Sequence, residues 1–275
     1  MSNTSEAAAF CTMPDQQSFF PVDIVEYSPS DGSTVHLKRF ATGSDGQEYA
    51  VKGMMDGENS PVAVVYSNQI PTSEWFCTKL ADKCNLPTAP CKILRDPETG
   101  EYFFGSRLEH AIKKGQLDVI NFLNLLKGSN LHFRRQLVAI YAFDLFIHNI
   151  DRHVNNYLYV NGTVGTSLIA FDFSLSCFVM GWPLDIDEQS PPTNKTRLVW
   201  DQIIKKNITF TDDCYLTARN VLQCLENIPA DFIESILEEI PVTWKDPALH
   251  ECLVNWWKSD ERIEMLEQIR TEIEK

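Results

Sequence analysis

Cations are in short supply in this sequence. Its 275 residues carry 24 lysines and arginines against 38 aspartates and glutamates, a formal net charge of −14 with histidine neutral. Such an acid excess repels phosphate backbones and anionic lipid, so nucleic acid and membrane surfaces make poor partners. A nucleotide would be repelled as well, unless a local cation and metal ions offset the field. Long apolar runs are missing too: none reaches the roughly 18 residues that a membrane span needs. No basic residue precedes an apolar stretch at the amino-terminus, so residues 1–20 read as a flexible polar arm and not as a secretory signal. The eight cysteines (Cys11, Cys77, Cys84, Cys91, Cys177, Cys214, Cys224 and Cys252) include no Cys-x-x-Cys pair. That argues against structural zinc and for reduced thiols used as small apolar side chains. A cytoplasmic protein is expected. No internal repeat appears.

What is present changes character along the chain. Val22–Tyr27 and Thr34–Phe40 alternate apolar and polar residues and predict strands. The turn cluster Thr42–Gly46 and the return strand Glu48–Lys52 complete a meander. Thr72–Cys84 switches to helical spacing, with Thr72 or Ser73 as its cap, and Pro87 and Pro90 lie beyond its end. Cys91–Leu94 and Tyr102–Phe104 predict two more strands around the turn Asp96–Gly100. From Leu117 the spacing is helical: Leu117–Leu126, a second apolar helix Leu131–Ile147, and four amphipathic segments after Leu216. A small hairpin, Leu158–Val160 with Leu168–Phe171, interrupts the helices. The expectation is an α+β chain of two lobes, with an amino-terminal antiparallel sheet carrying one helix (21–105), a mainly helical part (106–275), and the arm (1–20).

The chemistry concentrates between Asp151 and Asp172. Ile150-Asp151-Arg152-His153-Val154-Asn155-Asn156 follows an apolar helix where the chain must turn. Asp151 can orient an attacking hydroxyl there, and Asn156 can offer an amide oxygen to a hard cation such as magnesium. The hairpin then leads to Phe171-Asp172-Phe173, an aspartate between apolar residues that a metal would satisfy. Any one of these residues alone is usually a cap or a turn former. Together, the order Asp-x4-Asn, hairpin, Asp matches the general form of a kinase catalytic loop and metal aspartate. Lys52, at a strand end after a hairpin and followed by a helix carrying Glu74, meets the need for a cation. A strand lysine paired with a helix glutamate is how kinases position their phosphate-binding lysine.

On these residues the chain resembles the HipA-like serine/threonine kinases, in particular the small branch that is little more than a kinase domain. The likeness rests on Asp45–Lys52, Ser73-Glu74 leading to Leu80-Ala81, Asn85-Leu86-Pro87, His148–Asn156 and Ala170–Phe173. It implies a two-lobed protein-kinase-like fold using ATP and Mg2+. In it, Asp151 is the catalytic base, Asn156 and Asp172 are the metal ligands, Lys52 is the phosphate contact and Glu74 its partner. It also places Ser106, Arg107 and Leu108 at the adenine-binding hinge, and Ser30, Gly32 and Ser33 in the loop covering the phosphates. A protein substrate, autophosphorylation, and an antitoxin or regulatory partner follow from the same likeness. Two departures stand out. The covering loop has a single glycine, and Asn155 stands where many relatives carry lysine. A small-molecule or lipid phosphotransferase, or a pseudokinase that binds without turnover, remain the alternatives. Arg152 reads equally as a charge-neutralising or a structural residue, His153 as an organiser of the loop, Trp244, Trp256 and Trp257 as core or interface, and Asp185, Asp187 and Glu188 as a solvated acidic loop.

Overall fold

The structure, a computed structural model, describes residues 21–29, 39–58, 60, 62–108, 119–162, 165–183 and 194–275. The arm, the loop with Ser30, Gly32 and Ser33, the strand residues before Arg39, and the acidic loop Asp185–Glu188 lie outside the described residues.

Five strands make up the first part: β1 (Val22–Pro29), β2 (Arg39–Gly43), β3 (Glu48–Lys52), β4 (Cys91–Arg95) and β5 (Tyr102–Arg107). They run β1-β2-β3-β5-β4 and close into a barrel. The sequence predicts an antiparallel sheet, and four of the pairings are antiparallel. The fifth is a parallel seam, Val22↔Leu94 and Asp23↔Arg95, that joins β1 to β4. The twist of a small sheet brings its edges together, and closure removes both open edges. Alternation then decides which side chains fill the barrel: Ile24, Ala41, Tyr49, Val51, Leu94 and Phe103. Gly105 is needed in β5 because a Cβ there would sit 2.7 Å from Leu94 Cδ1. The turn between β2 and β3 falls later than the sequence suggests. Thr42 and Gly43 are still paired in β2, and Gly46 (φ +75°) makes the reversal.

Helix α1 (Ile70–Lys83) packs outside the barrel. It begins two residues before the expected Thr72, with Pro71 in its first turn, where the missing N–H costs nothing. Neither Thr72 nor Ser73 caps it. Thr72 Oγ1 donates to the Trp244 carbonyl (3.3 Å), and Ser73 Oγ donates to that of Ser176 (2.8 Å), so both side chains fasten the helix to later segments.

The remainder is mainly helical: α2 (Val119–Lys127), α3 (Leu131–Phe146), α4 (Lys195–Val199, continued by a π turn at Trp200–Ile204 and a last turn at Lys205–Asn207), α5 (Leu216–Asn227), α6 (Ala230–Glu239), α7 (Pro247–Trp257) and α8 (Asp260–Ile273). Helix α4 has no counterpart among the helices expected from the spacing. Asn130 caps α3 by accepting from Phe133 N at 2.9 Å, and α3 is buried on all sides from Gln136 to Phe146. The hairpin β6 (Tyr157–Gly162) and β7 (Gly165–Ala170) pairs antiparallel from Tyr157↔Ala170. Trp244, Trp256 and Trp257 are buried in the large core, as are Cys77, Cys84, Cys177 and Cys214. Among the described residues, no helix is long and apolar enough to cross a membrane.

Candidate active site

Pleating puts Lys52 on the opposite face of β3 from Val51, so Val51 enters the barrel while Lys52 leaves it toward α1. Its ammonium is buried and uses all three donors. They go to Glu74 Oε1 (2.5 Å), Asp172 Oδ1 (2.7 Å) and Ser174 Oγ (2.7 Å). Ser174 Oγ in turn donates to Glu74 Oε1 at 2.9 Å, which closes a ring of polar contacts. One cation therefore joins β3, α1 and the segment after β7. Burial opposes the charge on Lys52, but Asp172 and Glu74 outweigh it and hold its pKa above the ordinary lysine value. Burial pushes Glu74 up, against the pull of Lys52. The lysine stays charged, which makes it the fixed point of the cluster.

The second group lies on the loop after α3. Asp144, in the last turn of that apolar helix, is completely buried and binds Arg152 through both oxygens: Nε to Oδ2 at 2.8 Å and Nη2 to Oδ1 at 2.9 Å. Asn149 adds its amide to Asp144 Oδ1 (2.8 Å) and its backbone N–H to the Asp144 carbonyl (2.8 Å). The other end of Arg152 matters most for the site. Nη1 donates to the carbonyl of Asn156 at 2.7 Å and also to that of Phe171. One guanidinium thus fastens the backbones that carry Asn156 and Asp172 to each other and to α3. Of the two readings of Arg152, the geometry supports the structural one. Asp144 raises its pKa against the opposing effect of burial.

Asp151 and Asn156 share this loop. Asn156 is buried and donates its amide N–H to the Asp151 carbonyl (2.8 Å), and the Asp151 N–H donates to Asn149 Oδ1 (3.1 Å). The Asp151 carboxylate accepts from Lys195 Nζ at 2.6 Å. His153 Nε2 lies 3.9 Å from Asp151 Oδ2, and His153 Nδ1 accepts from the Asn155 N–H at 3.2 Å, which is the organising role expected of it. Burial lowers the His153 pKa despite the nearby Asp151. Asp172 has φ +61°, a left-handed conformation that costs energy outside glycine.

A family model for HipA-like kinases matches residues 34–271. The chain belongs to the HipA-like kinase family. Among solved structures, this HipA-like kinase is similar to CtkA, a proinflammatory kinase of Helicobacter pylori (TM-score 0.57, 11% identity, covering 92% of this chain and 98% of that one). Looser likenesses are to a Shewanella oneidensis MR-1 toxin–antitoxin HipA, crystallised with HipB and operator DNA (TM-score 0.46, 13% identity, 94% and 67% covered), and to the Golgi casein kinase (TM-score 0.43, 14% identity, 93% and 71% covered). At such identities the likeness concerns the fold. No curated protein matches the sequence. The family makes this a kinase-like phosphotransferase of mixed α+β fold.

Of the residues singled out in the sequence, Lys52, Glu74 and Asp172 meet directly in this HipA-like kinase, and Asp151 and Asn156 share one hydrogen-bonded loop. Ser106 lies within β5, flanked by Ala50 on β3 and Cys91 on β4. The N–H groups of Arg107 and Leu108 donate to the carbonyls of Pro90 (2.8 Å) and Glu48 (2.7 Å). Those two donors are therefore committed to the barrel. Sequence reasoning missed Asp144, Ser174, Lys195 and Thr196. A lone aspartate in the apolar stretch Leu137–Phe146 could have pointed to Asp144. Nothing in the local sequence marks Lys195.

Proposed function

We propose that this HipA-like kinase transfers the γ-phosphoryl group of magnesium-bound ATP to a serine or threonine hydroxyl of a protein, its own chain included. The observation that carries the reading is Lys52, a buried cation shared between Glu74 and Asp172. In a chain of net charge −14, a lysine so held keeps its charge and its direction, and it receives an anionic phosphate by exchanging one of its three present acceptors for a phosphate oxygen. The barrel part (21–105) and the helical part (106–275) act as the two lobes, with the nucleotide between them. Ser30, Gly32 and Ser33 belong to the loop over the phosphates, and the end of β5 around Ser106, Arg107 and Leu108 lies beside the adenine.

Asn156 and Asp172 would hold the magnesium. The donor set fits: both are oxygen ligands, and Asn156 spends its amide nitrogen on Asp151, which leaves its oxygen as the ligand atom. Among the described residues no cluster of three His, Cys, Asp or Glu could hold a metal. Magnesium keeps several waters and takes other ligands from phosphate, so these two residues are the ligands asked of the chain. When bound, it neutralises charge on the phosphate oxygens. The chain's own residues do the rest. The substrate hydroxyl oxygen forms the new bond to the γ-phosphorus as the bond to the β,γ-bridging oxygen breaks. Its proton passes to the Asp151 carboxylate, and ADP leaves with the bond pair. The acceptor protein, and a regulatory partner of the antitoxin kind, rest on family membership.

The test is mass spectrometry of the purified protein, with and without candidate protein acceptors, after incubation with ATP and magnesium. Phosphate on serine or threonine, lost in Asp151→Asn and Asp172→Asn while both variants stay folded, is the expected result. Undiminished transfer in either variant would sink the reading. Transfer only to lipids or small alcohols would replace it with the small-molecule alternative.

A further inference from the structure

Asp151 has a partner that none of the motifs contains. Its carboxylate Oδ1 lies 2.6 Å from the ammonium of Lys195, which is 44 residues further along the chain. Arg152, next to Asp151, is turned away and spent on Asp144, Asn156 and Phe171. His153 Nε2 is 3.9 Å away, beyond hydrogen-bond reach, and its Nδ1 accepts from the Asn155 N–H. Asn155 and Asn156, also on the loop, are neutral. Among the described residues, the cation in hydrogen-bond contact with the Asp151 carboxylate is therefore Lys195.

This contact is built from the backbone outward. The Lys195 N–H donates to the Ile150 carbonyl at 2.8 Å. Thr196, buried, donates its hydroxyl to the Asn149 carbonyl (2.5 Å) and accepts from the Arg152 N–H (2.9 Å). Asn194, also buried, caps the same turn by accepting from Arg197 N at 3.0 Å. The start of α4 thus forms a template along residues 149–152. An exposed lysine usually contributes little to a carboxylate, because ordering its long chain offsets the attraction. Here the Lys195 side chain is half exposed, but both backbones are fixed beside each other, so less freedom is lost on pairing.

We propose that Lys195 is a positioning residue for Asp151, with Thr196 as its buried anchor. Its ammonium fixes carboxylate Oδ1 and leaves Oδ2 to receive the proton of the attacking hydroxyl. It supplies to the loop the cation that Asn155 does not. Lys195 donates hydrogen bonds throughout and neither gains nor loses a proton. The proposal rests on the reading of Asp151 as the base, and its test separates the two.

Two variants and two readouts decide it. In protein labelled with [13Cγ]aspartate, the Asp151 resonance is identified by its absence in Asp151→Asn. Lys195→Met should shift it, and Lys195→Arg should return it close to the wild-type position. In steady-state phosphate transfer, Lys195→Met should lower kcat by roughly 10- to 100-fold, the scale of a displaced catalytic group. KM for ATP should stay within about twofold, and Lys195→Arg should recover most of the loss. An unmoved Asp151 resonance in Lys195→Met overturns the pairing. Wild-type kcat in that variant, or a rise in KM that accounts for the whole defect, overturns the positioning role. If the wild-type protein transfers no phosphate, the kinase reading fails, and the resonance alone then decides whether Lys195 holds Asp151.

Discussion

Replacing Arg152 with methionine should unfold this protein more readily than almost any other single change near the site. The arginine and Asp144 are both fully buried, and methionine fills a similar volume without a charge. Asp144 is then left in the core without its counter-ion, with Asn149 as its described hydrogen-bond donor. Breaking one partner of a buried ion pair costs about 3–5 kcal/mol. For a chain of 275 residues, an unfolding entropy of about 2.1 cal/mol/K per residue turns that into a fall in Tm of about 5–9 °C. The reciprocal variant, Asp144→Leu, strands the guanidinium and should cost about the same. The double variant should not cost the sum. With both charges gone, what remains is the carbonyls of Asn156 and Phe171 without their donor, at about 1–3 kcal/mol each. The double variant should therefore be about as stable as either single one, with a coupling energy of at least about 2 kcal/mol. Urea denaturation followed by tryptophan fluorescence measures all four corners of the cycle. Additive effects, or an Arg152→Met variant within about 0.5 kcal/mol of wild type, would show that the guanidinium does not tie these segments together.

Lys52→Met should reduce ATP turnover by at least about 100-fold and raise the Kd for Mg-ATP, read by isothermal calorimetry; unchanged affinity would contradict the phosphate-binding assignment. Asp172→Asn should abolish the magnesium dependence of nucleotide binding, checked by titrating ATP with and without the metal. Ser174→Ala removes a hydroxyl that bridges Lys52 and Glu74 and should cost about 1 kcal/mol in chemical denaturation. His148 provides a pH signature. Burial holds its pKa at about 4, against about 6.5 in an unfolded chain. The unfolded state therefore takes up the proton first. The stability this histidine contributes is complete above pH 6.5 and is lost as pH falls toward 4, about 3 kcal/mol in all. In His148→Asn, a residue that accepts the same positive φ, the decline in stability between those pH values should be shallower by that amount.

What could be read in the sequence divides along the range of the interactions. Strands and helices from Val22 to Ile273 follow local periodicity, and nearly all of them are found where the spacing puts them. The candidates Lys52, Asp151, Asn156 and Asp172 stand out because each follows a turn or closes a strand, and Glu74 because it is on the helix that follows the Lys52 strand. The parallel β1–β4 seam was not legible, because closure depends on twist accumulated over five strands and not on any one of them. The cap expected from Thr72 and Ser73 failed for a similar reason. Those hydroxyls find better acceptors in Trp244 and Ser176, more than 100 residues away. Lys195 was invisible because its role is set by where the start of α4 comes to rest, and α4 opens on a polar turn with no amphipathic signal.

Backbone strain at the site follows the same division. Asp172 and His148 both have positive φ (+61° and +54°), and they bracket the segments that carry the candidate base and metal ligands. A non-glycine residue there costs about 1–3 kcal/mol and persists only where its surroundings overdetermine it. At Asp172 the surroundings are visible. Its carboxylate is held by Lys52, its own Oδ1 accepts from the Ser174 N–H at 3.3 Å, and the carbonyl before it is held by Arg152. Asp172→Gly would relieve the strain and remove the carboxylate at once. Asp172→Asn keeps a side chain that tolerates the left-handed region and loses only the charge. If charge alone kept Asp172 in place, the asparagine variant would let the chain from Phe171 to Ser174 relax, and its amide exchange would rise toward that of the glycine variant. The bonds from Arg152 to Phe171 and from the Ser176 hydroxyl to Phe173 do not involve that charge. Exchange in Asp172→Asn should therefore stay close to wild type and rise only in Asp172→Gly, which would locate the rigidity of this segment in its neighbours and not in the charge of the carboxylate.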